Sequence, residues 1–267
     1  MSIKTQLKWL AFKFGIIVNK AVSPNELENF VSRFRSKYKS IELVRIGGNG
    51  DGGYLLPNNF TSVKYCFSPG VDYTAKFEKE LSQKYGIKSF MADASVSQAP
   101  LNDENFIFVK KFLGNRSVGE FITLSDWMKD SVADDAQDMI LQMDIEGGEY
   151  DVLTFETAET LAKFSSIVIE FHGLENIFER HFLQMIQSIF EKLYQNFSIC
   201  HVHPNNCCGM SSLYGIDVPR VLEVSFVRND LIDRFKSDLP ISLPHPLDKK
   251  NAENKLDIDM PYSWWKE

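Results

Sequence analysis

"MDIEGGEYDVL", residues 143–153, decides how this chain reads. It follows the apolar run "MILQ" and precedes a helix-like stretch, so it marks a strand passing through a loop into a helix. The loop gathers Asp144, Glu146 and Glu149 around Gly147 and Gly148. Asp144 stands at the strand end as a base, an orienting group or a metal ligand. The bland alternative is an aspartate capping the next helix and a glutamate favoured by the helix dipole. The two glycines read as turn geometry.

Working outward, the same alternation repeats from residue 63. "VKYCF" reads as a strand and "YTAKFEKELSQKYG" as a helix. "KSFMAD" and "NFIFVKKFL" are strands, and "TLSDWMKDS" is a short helix with Thr123 or Ser125 near its cap. "EYDVLTFETAETLAKF" is a helix, "SIVIEFH" a strand and "ENIFERHFLQMIQSIFEKLYQ" a long helix. "FSICHVH" and "VLEVSFVR" close the series as an antiparallel pair at the sheet edge, joined by a loop without helical periodicity. Such alternation predicts a mainly parallel sheet with helices on both faces.

Upstream, Ser23, Pro24 and Glu26 form a capping-box start for a helix over 24–38. "ELVRIGGNGDGGYLLP" reads as two short strands around a glycine turn. Leu7, Leu10, Phe14 and Ile17 fall at helical spacing, which predicts a helix docked on the body. A basic amphipathic helix lying on a membrane surface is the alternative, and no run is long enough to span a bilayer. The proline-rich tail is expected to be irregular and anchored by Trp264 and Trp265. The expected organisation is a helical extension over 1–40, one domain over 41–235 and a packed tail over 236–267.

The chain has 267 residues, 44% of them hydrophobic, enough for one large α/β domain. Its net charge of −7 lacks the basic footprint of a nucleic-acid binder and favours small polar or nucleotide-linked partners. None of the four cysteines makes a CxxC pair. That predicts no disulfide framework and a reducing, cytoplasmic setting, with Cys207 and Cys208 as passive loop residues.

Ligands of open parallel sheets bind beyond the carboxyl ends of the strands. There, "FSPGVD" offers Gly70 for close backbone approach and "FMADAS" offers Asp93 for ribose hydroxyls. Ser68 and Pro69 stand where a dinucleotide binder carries its first glycine. A pyrophosphate needs that glycine and S-adenosylmethionine does not, which tilts the reading from NAD to S-adenosylmethionine. Glu170 and His172 alternate onto one face, and Asp144 ends the neighbouring strand. Two carboxylates and a histidine suit Mg²⁺, Mn²⁺ or Ca²⁺. No compact metal motif is visible, so a divalent metal is possible but not favoured. His203 is the preferred base, ahead of His201, with Asn205 and Asn206 reading substrate hydroxyls beside Glu146 and Glu149.

In order, "VRIGGNGDGGYLLP", "CFSPGVDYTAKFEKEL", "SFMADASV", "ITLSDWM", "LQMDIEGGEYDVL", "IVIEFHGLE", "HVHPNN", "VPRVLEVSFVR" and "LPHPLDKKNAENKLDID" resemble the FkbM-type S-adenosylmethionine-dependent methyltransferases, in particular a bacterial surface-sugar branch. The resemblance runs from about residue 43 to residue 259. It implies a Rossmann-like class I methyltransferase fold: α/β, a seven-stranded mainly parallel sheet with one antiparallel strand and helices on both faces. It implies that Phe67, Ser68, Gly70, Asp72, Asp93 and Ala94 hold the cofactor. Asp51, Gly53 and Tyr54 would fold over it, Arg45 would meet its carboxylate, and Asp144 would border it. The implied activity is O-methylation of a sugar hydroxyl, nucleotide-activated or on a capsule or lipopolysaccharide precursor. The alternatives are a NAD-dependent sugar oxidoreductase, or methyl transfer to a phosphate or phosphoramidate oxygen.

Overall fold

The computed structural model describes residues 3–71 and 73–266. Helices α1 (Ile3–Lys13) and α2 (Pro24–Ser36) precede a hairpin of β1 (Leu43–Ile46) and β2 (Tyr54–Pro57). Then come β3 (Tyr65–Pro69), α3 (Lys76–Tyr85), β4 (Lys88–Ala92), β5 (Phe106–Val109), β6 (Phe112–Leu113) and β7 (Phe121–Ile122). These lead to α4 (Leu124–Ser131), β8 (Met139–Met143), α5 (Glu149–Phe155), α6 (Ala158–Leu161) and β9 (Phe164–His172). The chain closes with α7 (Arg180–Leu193), β10 (Phe197–Pro204), β11 (Met210–Leu213), β12 (Ile216–Pro219), β13 (Val221–Arg228) and α8 (Ile232–Phe235).

One sheet of seven strands has the order β10-β13-β9-β8-β3-β4-β5. β3 pairs parallel with β4 and β8, β4 with β5, and β8 with β9, while β13 is antiparallel to both neighbours. The expected fold class is observed. The expected antiparallel pair of the last two strands, β10 and β13, forms one edge of the sheet, and within it β13 is the strand that runs against the others. It inserts between β9 and β10, where both its ladders are paired and its largely apolar residues are buried. Chain order reverses between β3 and β8, which opens a crevice at their carboxyl ends.

Alternation along the strands separates two cores. Phe67, Leu141, Met143, Ile167, Ile169 and Phe171 face a large core with residues of α2, α4, α5 and α7. Cys66, Ile140 and Val168 face the other way, against Phe77 and Leu81 of α3 and Ile46, Tyr54 and Leu56 of the hairpin. Towards their carboxyl ends the strands turn polar on that second face, with Ser68, Gln142, Asp144 and Glu170 following the same parity. The hairpin is pinned there by the Ser225 hydroxyl, which donates to the Leu55 carbonyl at 2.6 Å.

The Ser23 capping box forms as read, and Thr123 caps α4. The helix expected over 149–164 breaks, because Glu156 leaves the helix and Thr157 caps a new one, accepting from the Thr160 N–H at 3.1 Å. The expected loop between the last sheet strands contains the hairpin β11–β12, turned by Tyr214 and Gly215 at positive φ. The docked N-terminal helix is not observed: Leu7, Leu10, Phe14 and Ile17 are all largely exposed. Trp9 and Phe12 interleave with them, so no single apolar stripe faces inward, and other elements already cover both sheet faces. No helix among the described residues is long and apolar enough to cross a membrane. The tail is anchored as expected: Trp264 is fully buried, edge-on to Phe30 and Phe34, and donates to the Asp217 carbonyl at 2.9 Å. Cys207 and Cys208, read as passive loop residues, are joined as a vicinal disulfide. A crosslink between chain neighbours closes no long loop, so it builds no framework.

Candidate functional site

A cavity of about 510 Å³ opens at the crevice between β3 and β8. Its floor is Gly70 and Val71 after β3, Ala92 and Asp93 at the end of β4, and Gln142 and Asp144 at the end of β8. Asp93 is almost buried and receives the Ser95 N–H at 2.8 Å and the Ser95 hydroxyl at 2.6 Å on one oxygen. Phe112, Leu113 and Phe121 form an apolar wall, the two rings 5.8 Å apart because β6 pairs with β7. Thr74 and Lys76 border the opposite side at the start of α3. The hairpin turn closes the top with Asp51, Gly52 and Tyr54.

Gly70 has a different reason for being glycine than the sequence suggested. Its φ is +82°, and a Cβ there would run into the carbonyl of Asp144. The close approach is between two loops of the chain itself, not only between backbone and ligand. Ser68 lies beneath the floor, its hydroxyl hydrogen-bonded to Glu78 and to the Gln142 amide oxygen at 2.5 Å. Burial raises the pKa of Glu78, and the hydrogen bond from the Ser68 hydroxyl opposes that rise. Phe67 is fully buried against Phe90, Trp127 and Phe164 and does not line the cavity. Arg45 is turned inward, donating to the carbonyls of Gly48 at 2.5 Å and Gly50 at 2.9 Å, so it braces the glycine turn. Gly53 packs against that guanidinium, where a Cβ would lie 2.7 Å from Nη2. Ala94 is half-buried beside Asp93 and is not in the wall. Asp72 lies outside the described residues.

At the rim, Asp144 and Glu146 converge on His172 from the end of β9. His172 Nε2 is 3.7 Å from Asp144 Oδ1, 3.6 Å from Glu146 Oε2 and 3.9 Å from Glu170 Oε1. Its Nδ1 is 2.6 Å from Oε1 of the fully buried Glu149. Tyr54 donates to Asp144 Oδ2 at 3.3 Å, and Tyr150 donates to the His172 carbonyl at 2.8 Å. Burial pushes Asp144 up to about 6, with the charges of Glu146, Asp51 and Glu149 adding and His172 opposing. Burial works against an imidazolium at His172, but the hydrogen bond and charge of Glu149, with Asp144 and Glu146, raise its pKa. Burial and the charge of Asp144 push Glu170 well above the usual carboxylate range.

The structure places the other expected site residues elsewhere. Glu170, Glu223 and His203 stand in one row across β9, β13 and β10, and the tail reaches Glu223 through Asn251 and His203 through Asp248. His203 is buried, absent from the cavity wall, with Nδ1 3.7 Å from Asp248. Burial opposes its proton, but Asp248 and Glu223 hold its pKa at about 9. At neutral pH it already carries the proton that a base would have to accept. His201 Nε2 is 2.9 Å from Asp248, itself buried. Asn206 clamps the tail, donating to the Ala252 carbonyl at 2.9 Å and accepting from its N–H at 2.8 Å. Asn205 donates to Glu170 Oε1 at 2.7 Å. Both amides are spent within the protein, where hydroxyl-reading contacts were expected.

Sequence reading passed over Lys76, Ser95, Phe112, Leu113 and Phe121. Only Ser95, two residues after Asp93, carried a local signal, an Asx-type turn. The aromatic pair meets through β6–β7 pairing of two-residue strands, which leave no periodic pattern.

No curated protein is detectably similar to the chain in sequence. Solved structures align with it at low identity. An E. coli prophage protein described as a DNA modification methyltransferase aligns at 9% identity and TM-score 0.40, over 66% of this chain and 52% of its own. This chain therefore spans about half that protein's length. M. capricolum TrmK, solved with S-adenosyl-homocysteine, aligns at 9% identity and TM-score 0.30, over 82% and 76% of the two chains. M. jannaschii TYW2, solved with AdoMet, aligns at 11% identity and TM-score 0.30, over 71% and 87%. Residues 78–196, which run from α3 to just past α7 and include the acidic loop and His172, match the family model described as the Methyltransferase FkbM domain.

Proposed function

We propose that the protein is an S-adenosylmethionine-dependent O-methyltransferase acting on a sugar hydroxyl, carried by a nucleotide or a surface-polysaccharide precursor. The observation that supports it best is the joining of two sites in one cavity: a cofactor-shaped crevice at the strand-order reversal and an acidic rim that faces it. The residues fit the methyl donor. The cavity volume is that of a small-molecule site. Asp93 suits ribose hydroxyls, the Phe112–Phe121 wall suits a flat base, and Asp51 and Asp144 suit a positive sulfonium. When bound, S-adenosylmethionine supplies an activated methyl group on a good leaving group, so no general acid is needed.

The protein's remaining task is to orient an alcohol and take its proton. Asp144 is the base of this reading. With a pKa of about 6 it is ionised at neutral pH yet far more basic than an exposed aspartate. Tyr54 donates to its Oδ2, which fixes how the carboxylate is turned. Glu146, largely exposed at the mouth, and His172 read neighbouring hydroxyls. An acidic mouth on a chain of net charge −7 favours a polyhydroxylated acceptor over a nucleic-acid strand.

Thermal shift with S-adenosylhomocysteine against NAD tests the donor, since a ligand of the native state raises the melting point. A rise with NAD alone sinks the reading. Asp93→Ala removes the charge-assisted ribose contact and is expected to weaken S-adenosylhomocysteine at least about tenfold by calorimetry. Labelled methyl transfer to a panel of nucleotide sugars tests the acceptor, and incorporation only into a phosphate oxygen would reject the hydroxyl.

A further inference from the structure

We propose that Asp144, Glu146 and His172 bind a divalent cation of the Mn²⁺ type at the rim of the cavity. The three ligand atoms lie within 4.8 Å of one another. His172 Nε2 stands 3.7 Å from Asp144 and 3.6 Å from Glu146. Those separations exceed an N–H···O hydrogen bond, about 2.7–3.2 Å. They approach what two ligands of one ion show, because donors about 2.1–2.2 Å from a common centre sit roughly 3–3.6 Å apart.

Two further observations point to a positive charge there. Glu149 is fully buried, and its Oε1 lies 2.6 Å from His172 Nδ1. A carboxylate so placed takes the Nδ1–H and leaves the lone pair on Nε2, the arrangement by which outer carboxylates orient metal-bound histidines. That lone pair then faces three carboxylates, a repulsive grouping unless a cation sits among them. The third carboxylate is Glu170, 3% exposed and 3.9 Å from Nε2. Asn205 satisfies its Oε1, whereas Oε2 has no hydrogen-bond partner among the described residues. A buried carboxylate in that state is costly without a compensating charge nearby.

The backbone serves the same geometry. Glu146 has φ +55°, a left-handed conformation that a glutamate rarely adopts, and from it the side chain reaches His172. One imidazole with carboxylates suits Mn²⁺ better than Ca²⁺, which prefers oxygen alone. The exposed side chain of Glu146 leaves coordination positions open towards the cavity. From sequence the ligands lack a compact motif. They meet because β8 and β9 are neighbours.

This inference does not rest on the methyl-transfer reading, since binding is measured without donor or acceptor. Mn²⁺ is titrated into the full chain near neutral pH, and the free-ion electron paramagnetic resonance signal is followed. One ion per chain is expected, with spin-echo modulation from a single imidazole nitrogen. Glu146→Gln changes an exposed side chain and leaves folding intact, yet is expected to weaken Mn²⁺ at least about tenfold. Glu149→Gln, which acts through His172, is expected to weaken it roughly 10–100-fold. The competing source of positive charge is a proton on Nε2. Absence of stoichiometric binding at millimolar Mn²⁺, with the imidazole doubly protonated by nitrogen NMR, overturns the proposal. So does binding that Glu146→Gln leaves unchanged and that shows no nitrogen modulation.

Discussion

Near the cavity, His172 faces Asp144 and Glu146 at 3.7 and 3.6 Å, and Glu146 reaches solvent. Two strands across the same sheet, His201 and His203 face Asp248 at 2.9 and 3.7 Å, and all three are buried. The residue types are the same, and both groups lie at the carboxyl ends of parallel strands. What differs is the cover. The tail seals the second group, with Asp248 and Asn251 as its plugs, whereas the hairpin turn leaves the first open beside a cavity. Acid in excess over base at an open rim invites a ligand. A buried pair closed by its own chain offers little beyond structure, and its cost is met only while every partner stays.

Breaking that buried pair is expected to have the largest effect. Asp248→Asn leaves two buried imidazoles facing an amide and should cost about 3–5 kcal/mol, read by denaturant or thermal unfolding. Turnover of the remaining folded protein should stay within about threefold. The pH dependence has a definite sign. His203, raised to about 9, contributes stability that is complete below the unfolded histidine pKa of about 6.5 and is lost as pH rises through about 9. The melting point should therefore fall across that window, and less so in His203→Gln. If Asp248→Asn or His203→Gln kept the melting point but lost a hundredfold in turnover, the comparison would invert and His203 would return as the base.

Next in size is the rim itself. Asp144→Asn should lower turnover by about a hundredfold or more while leaving S-adenosylhomocysteine affinity nearly intact. In the wild type, activity should rise with pH through about 6, since the carboxylate is the working form. A profile flat from pH 5 to 8, or controlled near 9, would assign the base elsewhere.

The comparison also shows what the sequence could carry. Strand ends and caps were readable because they rest on local chemistry: Ser23 with Glu26, Thr123 at the start of α4, and the alternation that puts Glu170 and His172 on one face. The neighbouring ends of Asp144 and Glu170 followed from strand order. Which histidine stands beside the carboxylates of the open rim did not follow. That depends on the tail, whose Asp248 lies 45 residues beyond His203 in an irregular segment without a periodic signal. Asn205 and Asn206 misled for the same reason, since an amide that clamps a tail and one that reads a hydroxyl look alike in sequence. The break at Glu156 was hidden because its carboxylate serves another element, accepting from the Ser125 N–H at 3.0 Å.

The smallest expected effect concerns the link between the two groups. Asn251 donates to Glu223 Oε1 at 2.7 Å and to Asp51 Oδ1 at 3.2 Å, so one side chain touches both the sealed network and a residue of the cavity wall. Burial pushes Glu223 up to about 7, with the charge of His203 and the amide of Asn251 acting against that rise. Asn251→Ala should leave Glu223 neutral more often and cost about 1 kcal/mol, because a half-protonated carboxylate loses little when one donor goes. If the two groups are functionally separate, combining Asn251→Ala with Asp144→Asn should give additive losses in turnover free energy, within about 0.5 kcal/mol. A coupling above about 1 kcal/mol would show that the sealed network sets the charge at the rim through Asp51, and the tail would then belong to the active site.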